Sequence, residues 1–272
     1  MSKWKIALMV TVMAAGLLLS VSCAKKEMLA GEAKTVESEE IASPEDALEK
    51  AKKDGTYLYV YFYEKNDEAL TAMEKEIEAF RKEITAKTMI YKAVVSYVKD
   101  TEMVQKYSLD KVKLPAVMSF APNGVITGGF PETVTRQELD KTIISALDMK
   151  IMRILQDGKM VLVLVQNAKT KSNKESTDSA EAFKSDSAVK DLVDSIIVDP
   201  SVKENKLFLT ACRLDENIEE ASMVVLVPPG AITGIFKGKV EKETILESLE
   251  GGTCGPEGGA DGCAPNTPGC GQ

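Results

Sequence analysis

The 272-residue sequence contains no histidine. That removes Ser-His-Asp and Cys-His catalysis, and every histidine metal site, in one step. Cysteine is scarce and dispersed. Cys23, Cys212, Cys254, Cys263 and Cys270 form no Cys-x-x-Cys pair, and no cysteine lies between Cys23 and Cys212. Basic charge is in deficit too: 34 Lys and Arg face 42 Asp and Glu, and the net charge of −8 argues against a nucleic-acid partner. The apolar run Ile6 to Leu19 is too short for a transmembrane helix. What remains is 44% hydrophobic and 28% charged, ordinary for globular protein, and the length favours two domains with separate cores.

The chain is organised around Leu114 to Phe130, LPAVMSFAPNGVITGGF. Two apolar runs flank a turn at Pro122-Asn123-Gly124, the pattern of a β-hairpin. Ser222 to Phe236, SMVVLVPPGAITGIF, repeats it 106 positions later. Pro122 meets Pro228, Gly124 meets Gly230, Ile126-Thr127-Gly128 meets Ile232-Thr233-Gly234, and Phe130 meets Phe236. A second echo matches KDGTYLYVY, from Lys53, with QDGKMVLVL, from Gln156. Two copies of one fold are therefore expected.

In the first copy, Ser43-Pro44-Glu45-Asp46 starts a helix that stops at Asp54-Gly55. Tyr57 to Tyr63 (YLYVYFY) reads as a central strand covered on both faces. Leu70, Met73, Ile77, Phe80 and Ile84 mark the next helix, Met89 to Val95 the next strand, and Thr135-Arg136-Gln137-Glu138 is a capping box. The stripe Leu139, Ile143, Leu147, Ile151, Leu155 meets no glycine or proline before Gly158. It predicts one continuous helix shared by both copies. In the second copy Met160 to Val165 reads as a strand, Ala168 to Ser187 as a polar loop, Ala188 to Val198 as a helix and Leu207 to Cys212 as a strand. Ala221 takes the place of Pro115.

A Leu-Pro step opening such a hairpin, with one more helix after it, resembles the second half of the thioredoxin fold. The resemblance covers about Ser43 to Glu250. It implies an α/β protein of two tandem thioredoxin-like domains, residues 43–149 and a degenerate 150–250, each a central mixed sheet flanked by helices, with the linking helix shared. It also implies that Pro115 is a cis-proline facing the family's redox site; an ordinary trans proline at a strand start is the plain alternative. Where the family carries Cys-x-x-Cys, this chain has Asp67-Glu68-Ala69-Leu70. No catalytic residue and no cofactor are assigned. Asp67 and Glu68 read as caps of the helix rather than as a working carboxylate pair.

Residues 1–22 read as a secretory signal peptide. LSVSC resembles a bacterial lipobox and makes Cys23 the lipidated residue; ordinary signal cleavage leaves it a free thiol. Residues 23–42 then form a polar, lipid-anchored tether. The expected place is the cell envelope, facing the periplasm or the exterior, at the outer membrane in a diderm host. Residues 251–272 are rich in glycine and proline and cannot build a core. Cys254, Cys263 and Cys270 there are candidate thiol or soft-metal ligands, although their spacing does not match structural zinc sites. Cys212 reads as a buried small hydrophobe. Three functions follow: a non-catalytic module binding an extended polypeptide of the envelope, a thiol or soft-metal handler working through its tail, or a structural lipoprotein.

Overall fold

The computed structural model describes residues 41–99 and 101–250. The expected leader, the expected tether with Cys23, and the segment with Cys254, Cys263 and Cys270 lie outside the described residues. The chain divides between Ile144 and Ser145 into two units.

Domain one begins with α1 (Pro44–Asp54), whose Ser43 cap accepts from the Asp46 N–H and whose Gly55 closes it at φ +64°. Then follow β1 (Tyr57–Tyr63), α2 (Glu68–Glu83), β2 (Thr88–Val94), α3 (Val95–Val98), α4 (Glu102–Tyr107), β3 (Ala116–Phe120), β4 (Ile126–Pro131) and α5 (Arg136–Asp140). The sheet order is β2-β1-β3-β4, with β2 parallel to β1 and the hairpin antiparallel. Leu58, Val60 and Phe62 face one core with Ala47, Ala51, Met103, Val104 and Met118. The alternate residues of β1, Tyr57, Tyr59 and Tyr61, face the other way, and Tyr59 meets Phe80 of α2 edge to face at 6.2 Å. Two covered faces explain why β1 carries no polar side.

Domain two comprises α6 (Ala146–Gln156), β5 (Met160–Val165), α7 (Asn173–Lys184), β6 (Val193–Val198), α8 (Lys206–Ala211), β7 (Ser222–Val227), β8 (Ala231–Lys237) and α9 (Lys242–Glu250). Its order, β6-β5-β7-β8, repeats that of domain one. The register repeats as well. Tyr57 pairs with Thr88 where Met160 pairs with Val193, and Leu58 with Phe120 where Val161 pairs with Leu226. Even the bulge recurs, at Ser119/Phe120 and at Val225/Leu226. One layer of its core joins α6 to β5 and β7 through Leu147, Ile151, Leu155, Val163 and Val224. The other joins α7 and α9 through Phe183 and Ile245. Both domains are α/β units, each a four-stranded mixed sheet flanked by helices, as the thioredoxin resemblance implies.

The shared helix is not formed. α5 stops at Asp140, and Ser145 starts α6 by accepting from the Asp148 N–H at 3.0 Å. The cause is the tyrosine row beneath. Tyr59 Oη lies 2.6 Å from Thr142 Oγ1, and Tyr57 Oη donates to the Ile144 carbonyl at 3.0 Å while accepting its N–H. These contacts hold residues 142–144 against the sheet, where a helix would lift them away. Of the apolar stripe, α5 buries Leu139 and α6 buries Leu147, Ile151 and Leu155, while Ile143 sits half-buried between the two helices, and α6 belongs wholly to domain two.

Domain two is also more complete than the sequence predicts. The expected loop Ala168–Ser187 contains α7, which buries Ser176, Ser179 and Ala180 beside Phe183; small residues on that face leave little hydrophobic periodicity. The expected helix Ala188–Val198 contains the parallel strand β6, where apolar residues three and four apart mimic a helix. The expected strand Leu207–Cys212 is α8, burying only Leu209 on its inner side.

Candidate functional site

The C-terminal end of β1 and the start of β3 lie side by side, since Phe62 pairs with Ala116. That pairing brings the loop before α2 and Pro115 to the same end of the sheet. The Leu114–Pro115 peptide is cis, as the resemblance implies, whereas Glu220–Ala221 is not among the cis bonds of the described residues. A second cis bond, Pro228–Pro229, lies in the domain-two turn.

Asp67 is the N-cap of α2. Its carboxylate accepts from the Leu70 N–H at 3.1 Å, and Lys65 stands 3.5 Å away. Glu68 and Ala69 are exposed, while Leu70 is buried in the core. The four residues at the Cys-x-x-Cys position therefore do structural work: one caps, one packs and two face solvent. A shallow, open depression lies over Asn66, Asp67, Glu68, Thr71, Ala72 and Lys75. It offers no enclosed cavity for a small molecule. Among the described residues no group of three or more Cys, Asp and Glu is placed to hold a metal.

The Leu70 N–H, and then the Lys65 charge, hold the Asp67 carboxyl below the usual carboxylate range. A lowered folded-state value means that the cap's contribution is present above the unfolded value and fades as pH falls through the folded one. Asp67→Asn keeps the acceptor and removes the titration. The stability of domain one is thus expected to fall less steeply in acid in this variant. Identical acid slopes in both proteins would show that the charge contributes nothing.

The main chain beside Pro115 is open. Glu132 donates its N–H to the Pro115 carbonyl at 2.7 Å, but the peptide groups of Lys113 and Leu114 have no hydrogen-bond partner among the described residues. Lys113 reaches sideways to Glu132 at 3.0 Å. Sequence reasoning located Pro115 but not this unpaired segment, which only the hairpin register reveals.

Cys212 ends α8 in the core of domain two, 2% exposed, and burial pushes its thiol up to about 11. So high a value leaves almost no thiolate at neutral pH. Native protein at pH 8 should alkylate at Cys212 far more slowly than denatured protein does. Equal rates by peptide mass mapping would mean that α8 opens readily.

No family model matches the chain, and no curated protein matches it. Among solved structures it is similar to the first two thioredoxin domains of Saccharomyces cerevisiae Eps1p, at 11% identity over 76% of this chain and 96% of that one, with a TM-score of 0.26. It is also similar to the NTD_N/C domain of the alkylhydroperoxide reductase AhpF from Enterococcus faecalis, at 18% identity over 76% and 99%, with a TM-score of 0.22.

Proposed function

We propose that this chain is an exported, lipid-anchored module of the cell envelope that binds an extended polypeptide, without catalysis, at the Pro115 end of domain one. The observation that carries the reading is the unpaired main chain of Lys113 and Leu114 at the end of a sheet. A segment with free N–H and C=O groups is a template for an added strand. Thiol exchange needs a thiolate at the neighbouring helix start, and Asp67 caps that helix instead. The partner is an envelope protein or another unfolded chain, with the membrane reached through lipidated Cys23 and no cofactor required. Binding of this kind adds main-chain hydrogen bonds and tolerates many side chains.

Hydrogen–deuterium exchange with reduced, carboxymethylated lactalbumin, a permanently unfolded chain, tests it. The Leu114 amide should slow on addition of the probe; no slowing at any residue of domain one would reject the reading. The anchoring part is tested separately. Detergent-phase partitioning of the expressed protein should be lost in Cys23→Ser. The buried state of Cys212 leaves any thiol chemistry to Cys254, Cys263 and Cys270. Reduction of insulin by the full chain, abolished when these three are serine, would transfer the assignment to the tail.

A further inference from the structure

The two copies share their register but differ at one end of the sheet. In domain one, no backbone hydrogen bond joins residues 64–67 to residues 113–115. In domain two the corresponding segments are tied together. Lys171 donates its N–H to the Glu219 carbonyl at 2.8 Å, and the Ala221 N–H donates to the Lys171 carbonyl at 2.9 Å. Lys171 and Glu220 thereby form a parallel β-bridge.

Side chains reinforce the tie. Ser172 Oγ donates to Glu220 Oε1 at 3.1 Å, and Lys171 Nζ lies 2.8 Å from Glu219 Oε2. The ion pair is exposed and adds little by itself. The Glu220 carboxylate, however, occupies space that only a glycine leaves: a Cβ on Gly238 would stand 2.5 Å from Glu220 Oε1. Gly238 has φ +60°, and its counterpart in domain one, at the same corner after the hairpin, is Glu132 with φ +64°.

We infer that the β5–α7 loop is a built-in strand that takes up, in domain two, the Glu219 carbonyl and the Ala221 N–H and lies across the sheet end that domain one leaves open, so that domain two is closed to an added polypeptide. The closure holds although the Glu220 N–H itself has no backbone partner among the described residues. The inference rests on the polypeptide-binding reading of domain one. Three sequence differences produce the closure. The loop is longer, with Ser172 six residues after Gln166 where Asp67 is four after Tyr63. Ala221 supplies an N–H that Pro115 lacks. Gly238 makes room for Glu220, where Glu132 in domain one projects a side chain and pairs with Lys113. Binding is accordingly confined to one end per chain.

Exchange measured on the full chain tests this. In the wild type the Lys171 and Ala221 amides should exchange at least about tenfold more slowly than the Leu114 amide, as hydrogen-bonded groups do. Carboxymethylated lactalbumin should then slow Leu114 and leave residues 219–221 unchanged. Ala221→Pro and Gly238→Glu each install the domain-one residue. Either should speed exchange at Lys171 and let the probe slow Glu220. Wild-type Lys171 exchanging as fast as Leu114, or probe protection of residues 219–221 in the wild type, would overturn the inference, whether or not the variants fold. A probe that slows no residue while Lys171 and Ala221 stay slow rejects the binding reading of domain one and supports the closure.

Discussion

Replacing Gly128 with valine is expected to destabilise domain one by about 3 kcal/mol, the upper range for forced overpacking. The ring of Phe130, two residues further along β4, folds back across Gly128. A Cβ there would stand 2.5 Å from the ring and 2.9 Å from Ser119 Oγ. Phe130 is 2% exposed and Ser119 is fully buried, so neither has room to yield. Domain two repeats the device, with a Cβ at Gly234 falling 2.6 Å from the Phe236 ring. Chemical denaturation should show the domain-one transition shifted in Gly128→Val and the domain-two transition shifted in Gly234→Val. Pairing Gly128→Val with Phe130→Ala should cost less than the two single losses together, because each removes the other's obstacle. Strict additivity would mean that the ring does not rest on the glycine.

Phe80→Ala carries an expected loss of about 4 kcal/mol, within the range for truncating a buried phenylalanine. Phe80 is fully buried on α2, edge to face with Tyr59 at 79° and beneath the Arg136 guanidinium, 5.2 Å from its centroid. Its removal leaves a cavity between α2 and β1, and Arg136 loses an aromatic face. The loss should appear in the domain-one transition alone. A loss below about 1 kcal/mol would mean that α2 collapses into the space, which the other buried residues of α2, Leu70, Met73 and Ile77, oppose by holding the helix in place.

How far each part of the molecule was legible depended on where the information lay. β1 declared itself through Tyr57–Tyr63, and the hairpins through their shared turn frame. Local chemistry sufficed there. The helix break at 141–145 was invisible because its cause is remote in sequence: the hydroxyls of Tyr57 and Tyr59 act on residues more than eighty positions away. α7 escaped notice because serine and alanine do its packing, and β6 because its apolar spacing fits either element. At the candidate site, the absence of cysteine and the capping role of Asp67 could be read directly. The open main chain at Leu114 and the tie from Lys171 to Glu219 and Ala221 could not. Both are properties of backbone pairing, and the closure depends on an alanine in place of a proline, a glycine and a loop length that mean little singly.

The tyrosine row of β1 has an optical consequence. All seven tyrosines of the chain, at positions 57, 59, 61, 63, 91, 97 and 107, belong to domain one, and the only tryptophan is Trp4, in the segment read as a leader. A processed chain would carry no indole, and its near-ultraviolet fluorescence would come from the phenols of one domain. Far-ultraviolet dichroism, by contrast, weighs the helices and strands of both. Unfolding followed by the two signals on the same sample would therefore yield the stability of each domain separately, with no label and no cut in the chain.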